Sequence, residues 1–161
     1  MNAVTNLETS KNVCETSLDS IMSRSMKVVR ANDTVAEALR NMVDGENTLP
    51  VVDDFGRCIG ILSRADLAES LYQEDQELAR FLESEGAPLV TFGVTETCNE
   101  RQVRELMSEQ VTTALATTTA RDACALMAHH SIHQLPVVDA NQRLIGIVSS
   151  LDLLGIFCDG K

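Results

Sequence analysis

The sequence predicts an α/β (α+β) fold made of two copies of one strand–helix–strand–strand–helix unit. Residues 49–66 return as residues 135–152 at a constant offset of 86, with the same Leu-Pro-Val-Val-Asp and Gly-apolar-apolar-Ser-x-x-Asp motifs. Upstream, residues 34–42 return as 119–127 at an offset of 85, so the first copy lacks one residue between 42 and 50. Self-similarity at a fixed period indicates duplicated structural units.

The first elements of the unit follow from local patterns. Ser17 or Asp19 can cap a short helical turn, and the β-branched stretch 26–30 predicts a short strand. Thr34 precedes apolar residues at three- and four-residue steps, which predicts a helix that stops near Gly45. The apolar face of this helix consists of Val35, Ala38, Leu39 and Met42.

A hairpin of buried strands follows in each copy. In the first copy, the apolar runs 49–53 and 58–63 flank an acidic turn that contains glycine. Pro50 has no backbone donor, so we expect it at the beginning of its strand or on a sheet edge. A helix then runs from Arg64 to about residue 71, and the matching helix of the second copy runs from Ser150 to about residue 157.

The repeat divides the chain into four parts. Residues 1–16 are expected to form a flexible amino-terminal arm, 17–72 the first unit, 73–98 a connection and 99–161 the second unit. Leucine and phenylalanine recur at helical steps in the connection, interleaved with glutamate, which predicts an acidic solvated helix. A surface for a partner or for a second copy of the chain is the alternative.

The second copy begins with its own helix signal. Thr97 and Glu100 have the spacing of a capping box, in which each side chain accepts from the other residue's backbone N–H. We therefore expect a helix that carries Val103, Leu106 and Met107 on one face.

Composition and charge narrow the classes of function. The chain carries a formal net charge of −11, which opposes binding to nucleic-acid phosphates and to anionic lipid. It has no apolar stretch of about 18 residues and no basic head before an apolar run, so we expect neither a membrane span nor export. The 5 cysteines are scattered without a CxxC pair, which predicts reduced thiols in the cytoplasm.

The repeated Gly-apolar-apolar-Ser-x-x-Asp motif is the candidate functional feature. In the first copy a strand delivers Ser63 to a helix amino terminus, where free amides and the helix dipole attract an anionic oxygen. Asp66 follows three residues later, and its carboxylate can accept two hydrogen bonds from a vicinal diol such as that of a ribose. Ser149 and Asp152 repeat the arrangement. Ser-x-x-Asp is also a variant of the capping box, which requires no ligand.

These motifs resemble a tandem pair of CBS (cystathionine beta-synthase) domains. The resemblance implies two βαββα units joined sheet to sheet about a pseudo-twofold axis, a homodimer, and adenosyl ligands in two clefts. It therefore implies AMP, ADP, ATP or S-adenosylmethionine as the ligand and requires no cofactor. The matching segments are residues 22–23, 34–42, 49–53 and 60–67, and again 107–108, 119–127, 135–139 and 146–153.

The same resemblance implies which residues line each cleft. His133 can donate to a phosphate, whereas Glu46 would repel one, and the shortened loop also falls at Glu46. We therefore expect the cleft of Asp66 to be the better nucleotide site. That cleft would combine Ser63, Asp66 and Ile61, helped by Arg64, with Val111, Thr112, Ile132 and His133. The other would combine Ser149, Asp152 and Ile147 with Met26, Lys27, Glu46 and Asn47.

Three classes of function remain to be compared. The leading one is a sensor, in which an adenosyl ligand favours one conformation or oligomer that a regulated protein partner detects. An enzyme is not expected, because the chain has no GxSxG elbow, Walker loop, HExxH or Rossmann fingerprint, and we assign no catalytic residue. A ligand-free dimerisation or interaction scaffold is the alternative. A metal site is not expected either, since His129, His130 and His133 lie at or beyond a helix end.

Overall fold

Two small three-stranded sheets and their helices form the structure, a computed structural model that describes residues 13–42, 47–72 and 101–159. This α+β architecture confirms the predicted fold class. The first sheet and its helices are β1 (Val29–Arg30), α1 (Val35–Asn41), β2 (Thr48–Val52), β3 (Cys58–Ser63) and α2 (Arg64–Tyr72). The second set is β4 (Ala114–Leu115), α3 (Ala120–His130), β5 (Gln134–Val138), β6 (Leu144–Ser149) and α4 (Ser150–Asp159), and 3-10 turns occupy Leu18–Ser20 and Val103–Glu105.

The two sheets have the same topology and register. The strand order is β1-β2-β3 in one and β4-β5-β6 in the other; the first pair is parallel and the second antiparallel. The antiparallel pairs start at equivalent positions, Thr48 opposite Ser63 and Gln134 opposite Ser149. Thr34 caps α1 as predicted: its hydroxyl accepts from Glu37 N, and Glu37 Oε2 accepts from Thr34 N at 2.9 Å. The hydrogen bond from the Thr34 amide lowers the pKa of Glu37.

The chain forms two compact units that do not follow its order in sequence. Unit A comprises described residues between Lys27 and Val111, and unit B comprises those up to Met26 together with those from Thr112. The 3-10 turn Val103–Glu105 therefore packs in unit A, where Val103 N donates to Asp33 O at 2.9 Å. The turn Leu18–Ser20 packs in unit B, where Leu18 N donates to Thr118 O at 2.9 Å. Each unit therefore includes the segment that precedes the other repeat in the sequence.

Each unit has its own aliphatic core. Helix and strand residues fill both cores, and the exchanged segments contribute Val103 to unit A and Leu18 to unit B, both fully buried. In unit A the other fully buried large side chains include Met42, Leu49, Leu62 and Leu67.

Two sequence expectations are wrong in detail. Pro50 lies in the middle of β2, the central strand, rather than at a strand start or on a sheet edge. Its missing N–H is tolerated because β1 pairs only with Val51 and Val52, so one side of Pro50 has no strand neighbour among the described residues. The helix expected to carry Val103 and Met107 is a single 3-10 turn, because the chain leaves it to pair with β3 at Ile61. The capping-box residues proposed for it, Thr97 and Glu100, lie outside the described residues.

A glycine in β3 and its counterpart in β6 permit the exchanged segments to approach. A Cβ at Gly60 would lie 2.8 Å from Met107 Sδ and 3.0 Å from Ser108 O. A Cβ at Gly146 would lie 2.5 Å from Met22 Sδ and 3.1 Å from Ser23 O. Both distances to backbone oxygen are too short to be relieved by a side-chain rotation alone. A larger residue at either position requires the backbone of the approaching segment to shift by a few tenths of an ångström.

Gly146→Ala is expected to lower the free energy of unfolding by about 1–3 kcal/mol, the usual cost of overpacking a well-filled site. Gly155→Ala is the matched control, because a Cβ there meets nothing within 4 Å and lies inside α4, where alanine is the better helix former. Urea denaturation followed by circular dichroism measures both. A Gly146→Ala chain as stable as the wild type would contradict the close approach.

Candidate ligand site

Ser63 and Asp66 form a reciprocal hydrogen-bonded pair where β3 runs into α2. Asp66 Oδ2 accepts from Ser63 N at 2.7 Å and from Ser63 Oγ at 2.6 Å, and Asp66 N donates to Ser63 Oγ at 3.1 Å. The motif therefore caps the helix, as expected for the capping-box interpretation of Ser-x-x-Asp. Both side chains are half-buried.

The cap uses one carboxylate oxygen and leaves the other available. Within the part of the chain that the structure describes, no donor reaches Oδ1 of Asp66. Because Oδ2 is fixed by Ser63, Oδ1 is held in one orientation at the amino terminus of α2. A carboxylate oxygen that is already oriented loses little conformational entropy when it accepts from a ligand hydroxyl. Capping and ligand binding are therefore compatible functions of the same aspartate.

Unit B repeats the geometry at a more exposed position. Asp152 Oδ2 accepts from Ser149 N at 2.7 Å and from Ser149 Oγ at 2.6 Å. Asp152 is exposed whereas Asp66 is half-buried. Since hydrogen bonds to a carboxylate are stronger where less water competes, the lower exposure of Asp66 agrees with the expectation that unit A holds the better acceptor, which stays a prediction.

The residue after each serine differs between the units. In unit A, Arg64 N donates to Asn47 O at 3.0 Å, and Arg64 Nη1 donates to Asn47 Oδ1 at 3.5 Å. In unit B, the equivalent Ser150 N donates to the carbonyl of His133 at 2.9 Å. The first residue of α2 thus contacts Asn47 through its backbone and its side chain, and the first residue of α4 contacts the backbone carbonyl of His133.

Within each unit the structure brings together the serine, the aspartate and the strand residue of one predicted set. Asn47, expected in the cleft of Asp152, lies instead beside Arg64 in unit A, and His133, expected in the cleft of Asp66, lies beside Ser150 in unit B. Unit A contains Ser63, Arg64, Asp66 and Asn47 around the start of α2, with Ile61 two residues earlier on β3. Unit B contains Ser149, Asp152 and His133 around the start of α4, with Ile147 on β6. The grouping of residues across the two repeats remains a prediction, and Glu46 lies outside the described residues.

The other predicted residues have mainly local contacts. Lys27 Nζ donates to Asn41 O at 3.1 Å, at the end of α1. Ile132 packs against the core of unit B, and its N donates to Met127 O at 3.0 Å. Three more are half-buried between elements: Met26, Val111 and Thr112.

Sequence reasoning missed the partners of the strand residues that precede each serine. Ile61 and Ser108 exchange two backbone hydrogen bonds, of 3.0 and 2.8 Å, and Ile147 and Ser23 exchange an equivalent pair. The available signal was the Met-Ser dipeptide, which repeats at an offset of 85 just as the strand glycines repeat at 86.

Cys58 is the first residue of β3, and its thiol has low reactivity. Burial raises the pKa of its thiol from the ordinary value of 9.0 to about 11, against a weak hydrogen bond to Gly60 O. Because the folded-state pKa is raised, the stabilising contribution of the neutral thiol is complete below pH 9.0 and is lost as the pH rises through about 11.

Alkylation of Cys58 by iodoacetamide at pH 8 is expected to be far slower in the native chain than in denaturant, and its rate should climb with an apparent pKa near 11. Peptide-resolved mass spectrometry measures this. Equal rates in the native and denatured chain would show that the thiol is not buried.

Neither a metal cluster nor a membrane-spanning helix is found in the described ranges. His, Cys, Asp and Glu side chains in residues 13–42, 47–72 and 101–159 form no group of three suited to a metal ion. Among the helices in the same ranges, none has the length and apolar character needed to cross a bilayer.

Known proteins share this architecture. The CBS domain family model matches residues 18–73 and 103–159. An inosine-5′-monophosphate dehydrogenase of Halobacterium salinarum is 30% identical over 136 residues, which cover 83% of this chain but only 22% of the dehydrogenase. This chain therefore spans less than a quarter of that relative.

Two solved structures resemble the chain over most of its length. The CBS domain pair of protein MJ0100, in complex with 5′-methylthioadenosine and S-adenosyl-L-methionine, has a TM-score of 0.68 and 26% identity, and the match covers 91% of this chain and 98% of that one. CBSX2 in complex with AMP has the same TM-score of 0.68 and 26% identity, with coverage of 89% and 96%. The chain therefore belongs to the CBS domain family and carries a tandem pair of CBS domains.

Proposed function

We propose that this chain is a regulatory module that binds an adenosyl ligand and reports its level to a protein partner by a conformational or oligomeric change. The observation that carries the proposal is the Ser63–Asp66 pair, whose cap orients one unused carboxylate oxygen at a helix amino terminus. Two structurally similar CBS pairs hold adenosyl compounds, one of them AMP and the other S-adenosylmethionine with methylthioadenosine.

The chemistry of the pair fits a ribose. Oδ1 of Asp66 accepts from the 2′- and 3′-hydroxyls. Arg64 places a positive charge at the same helix start, which favours a phosphate in a chain whose formal net charge is −11. AMP, ADP, ATP and S-adenosylmethionine all present the same ribose and differ in the charge attached to it.

The ligand acts as an effector and not as a substrate. We assign no catalytic residue and no required cofactor, so the bound compound is released unchanged. Free thiols at Cys14, Cys58 and Cys124 support a reducing, cytoplasmic location.

A homodimer is the second part of the proposal. On α4, Leu151 and Leu154 are 75% and 56% exposed and lie three residues apart on one helix face. Exposed leucines at helical spacing are typical of a surface that packs against another chain. The regulated protein partner would detect either the ligand-bound conformation or the dimer.

A ligand-free scaffold is the alternative, and the caps are equally compatible with it. Both Ser–Asp pairs make their capping hydrogen bonds without any ligand. In that case the aspartates contribute to helix stability only, and no nucleotide changes the melting temperature.

Thermal unfolding of the full chain with AMP, ADP, ATP or S-adenosylmethionine distinguishes the two functions. A ligand at a hundredfold excess over its Kd stabilises the native state by about 2.7 kcal/mol. We expect at least one of the four compounds to raise the melting temperature by several degrees, with guanosine monophosphate as the control that lacks adenine. The same melting temperature with all four compounds would favour the scaffold.

A further inference from the structure

A cleft lies in unit A, at the end of the sheet opposite to the Ser63–Asp66 pair. Ser63 faces the first residue of β2, whereas this cleft opens beyond the last residue, Val52. The two places are about four strand residues apart, or roughly 13 Å. The cleft has a volume of about 350 Å³, which falls in the range of small-molecule sites. Apolar atoms of Val52, Ile59 and Met107 line part of it.

Backbone hydrogen bonds fix the walls of this cleft. Arg104 N donates to Ala31 O at 3.0 Å, which ties the 3-10 turn to the loop after β1. On the opposite wall, Asp53 Oδ1 accepts from Phe55 N and Arg57 N, both at 2.9 Å, and Asp53 Oδ2 pairs with Arg57 Nε at 2.7 Å. Burial opposes ionisation of Asp53, but these hydrogen bonds outweigh it and lower its pKa. The ionised carboxylate of Asp53 is therefore already paired within its own turn.

Four charged side chains of the lining have no such partner. The positive ones are Arg30 and Arg104, and the negative ones are Asp54 and Glu109. None of the four makes a side-chain ion pair or hydrogen bond with another residue in the described part of the chain. All four are exposed, and they present two charges of each sign around one apolar floor.

The equivalent positions in unit B do not present the same unpaired charges. At the offset of 85, Arg104 and Glu109 correspond to Asp19 and Arg24, with the signs exchanged. In unit B that pair closes directly: Arg24 Nη2 lies 2.8 Å from Asp19 Oδ1. The other two charges have no counterpart, because Arg30 corresponds to Leu115 and Asp54 to Ala140. The open set of four charges is therefore a property of unit A and not of the repeat.

We propose that this cleft binds a small zwitterion, an α-amino acid with an apolar side chain. Its carboxylate contacts the guanidinium groups of Arg30 and Arg104, and its ammonium group contacts the carboxylates of Asp54 and Glu109. Its side chain covers the apolar floor. A simple acid or a simple amine makes only one of these two charged contacts, so it binds more weakly than the amino acid. This site is separate from the adenosyl site and does not depend on it.

Calorimetric titration of the full chain with L-leucine and L-methionine tests the proposal. The analogues 4-methylpentanoate and 3-methylbutylamine keep the leucine side chain but carry only one of the two charges. We expect binding of at least one amino acid and an affinity for the analogues at least about tenfold lower. The absence of heat with both amino acids at millimolar concentration, or equal affinity for the analogues, would overturn the proposal.

Charge-neutral variants locate the site. Arg104→Gln and Glu109→Gln should each weaken amino-acid binding by about tenfold or more. The control is Arg24→Gln, at the position in unit B that corresponds to Glu109, and it should leave amino-acid binding unchanged. Asp66→Asn should also leave amino-acid binding unchanged, which separates this site from the adenosyl site. Circular dichroism verifies that each variant is folded. Wild-type affinity in both Arg104→Gln and Glu109→Gln would overturn the assignment to this cleft.

Discussion

Asp66→Asn is expected to abolish measurable binding of the adenosyl ligand while the chain stays folded. The asparagine carbonyl can still accept from Ser63 N and Oγ, so the helix cap is retained. The amide NH₂ then replaces Oδ1 and presents a donor where the ribose diol needs an acceptor. Loss of two hydrogen bonds to a charged group costs on the order of 3 kcal/mol or more, which is at least about a hundredfold in Kd. Isothermal titration calorimetry measures this loss.

The matched control is Asp152→Asn in unit B. Asp152 has the same hydrogen bonds but is exposed, so its substitution should weaken binding less than Asp66→Asn. Normal affinity in Asp66→Asn together with loss of binding in Asp152→Asn would reverse the ranking of the two sites. Normal affinity in both would remove the aspartates from ligand recognition.

Leu18→Ala is expected to be among the most destabilising single changes in the chain. Leu18 is fully buried in the core of unit B, with Leu135, Val137 and Val148 in the same cluster. Truncation of a buried leucine to alanine typically costs about 2–5 kcal/mol. Urea denaturation measures the free energy of unfolding.

The location of the effect tests the exchange of segments. Amide hydrogen exchange should rise first in β4–β6, although Leu18 precedes β1 in the sequence. Val103→Ala, the equivalent change in unit A, should instead raise exchange first in β1–β3. If Leu18→Ala loosened β1–β3 first, unit B would not include the amino-terminal segment.

The elements with local signals were predictable from the sequence. Thr34 caps α1, and the apolar residues after it form a buried face. A helix cap depends on contacts within one turn and an apolar face on residues within a few turns, so both can be recognised in the sequence. The hairpins, and helices starting at Arg64 and Ser150, are confirmed for the same reason. Each signal lies within about ten residues of the element that it specifies.

The features that depend on distant contacts were not predictable. The exchange of the segments at Leu18 and Val103 depends on which sheet each segment contacts, and a repeat comparison groups residues only by their order. The position of Pro50 depends on how far β1 extends, and β1 contains two residues where the stretch 26–30 was expected. In both cases the deciding contact lies tens of residues away.

The candidate site was predictable as a motif but not in its geometry. The spacing of Ser63 and Asp66 allowed either a helix cap or a ligand site, and the sequence could not show that one oxygen serves the cap while the other remains available. The difference in exposure between Asp66 and Asp152 also requires the folded chain, because both motifs have the same letters.

The central claim is that Asp66 recognises the ribose diol of an adenosyl ligand. Titration of the full chain with AMP and with 2′,3′-dideoxy-AMP tests it most directly, because the two compounds share adenine and phosphate and differ only in the hydroxyls that Oδ1 would accept from. We expect AMP to bind and the dideoxy compound to bind at least about a hundredfold more weakly. Equal affinity for the two compounds would contradict recognition of the diol by Asp66.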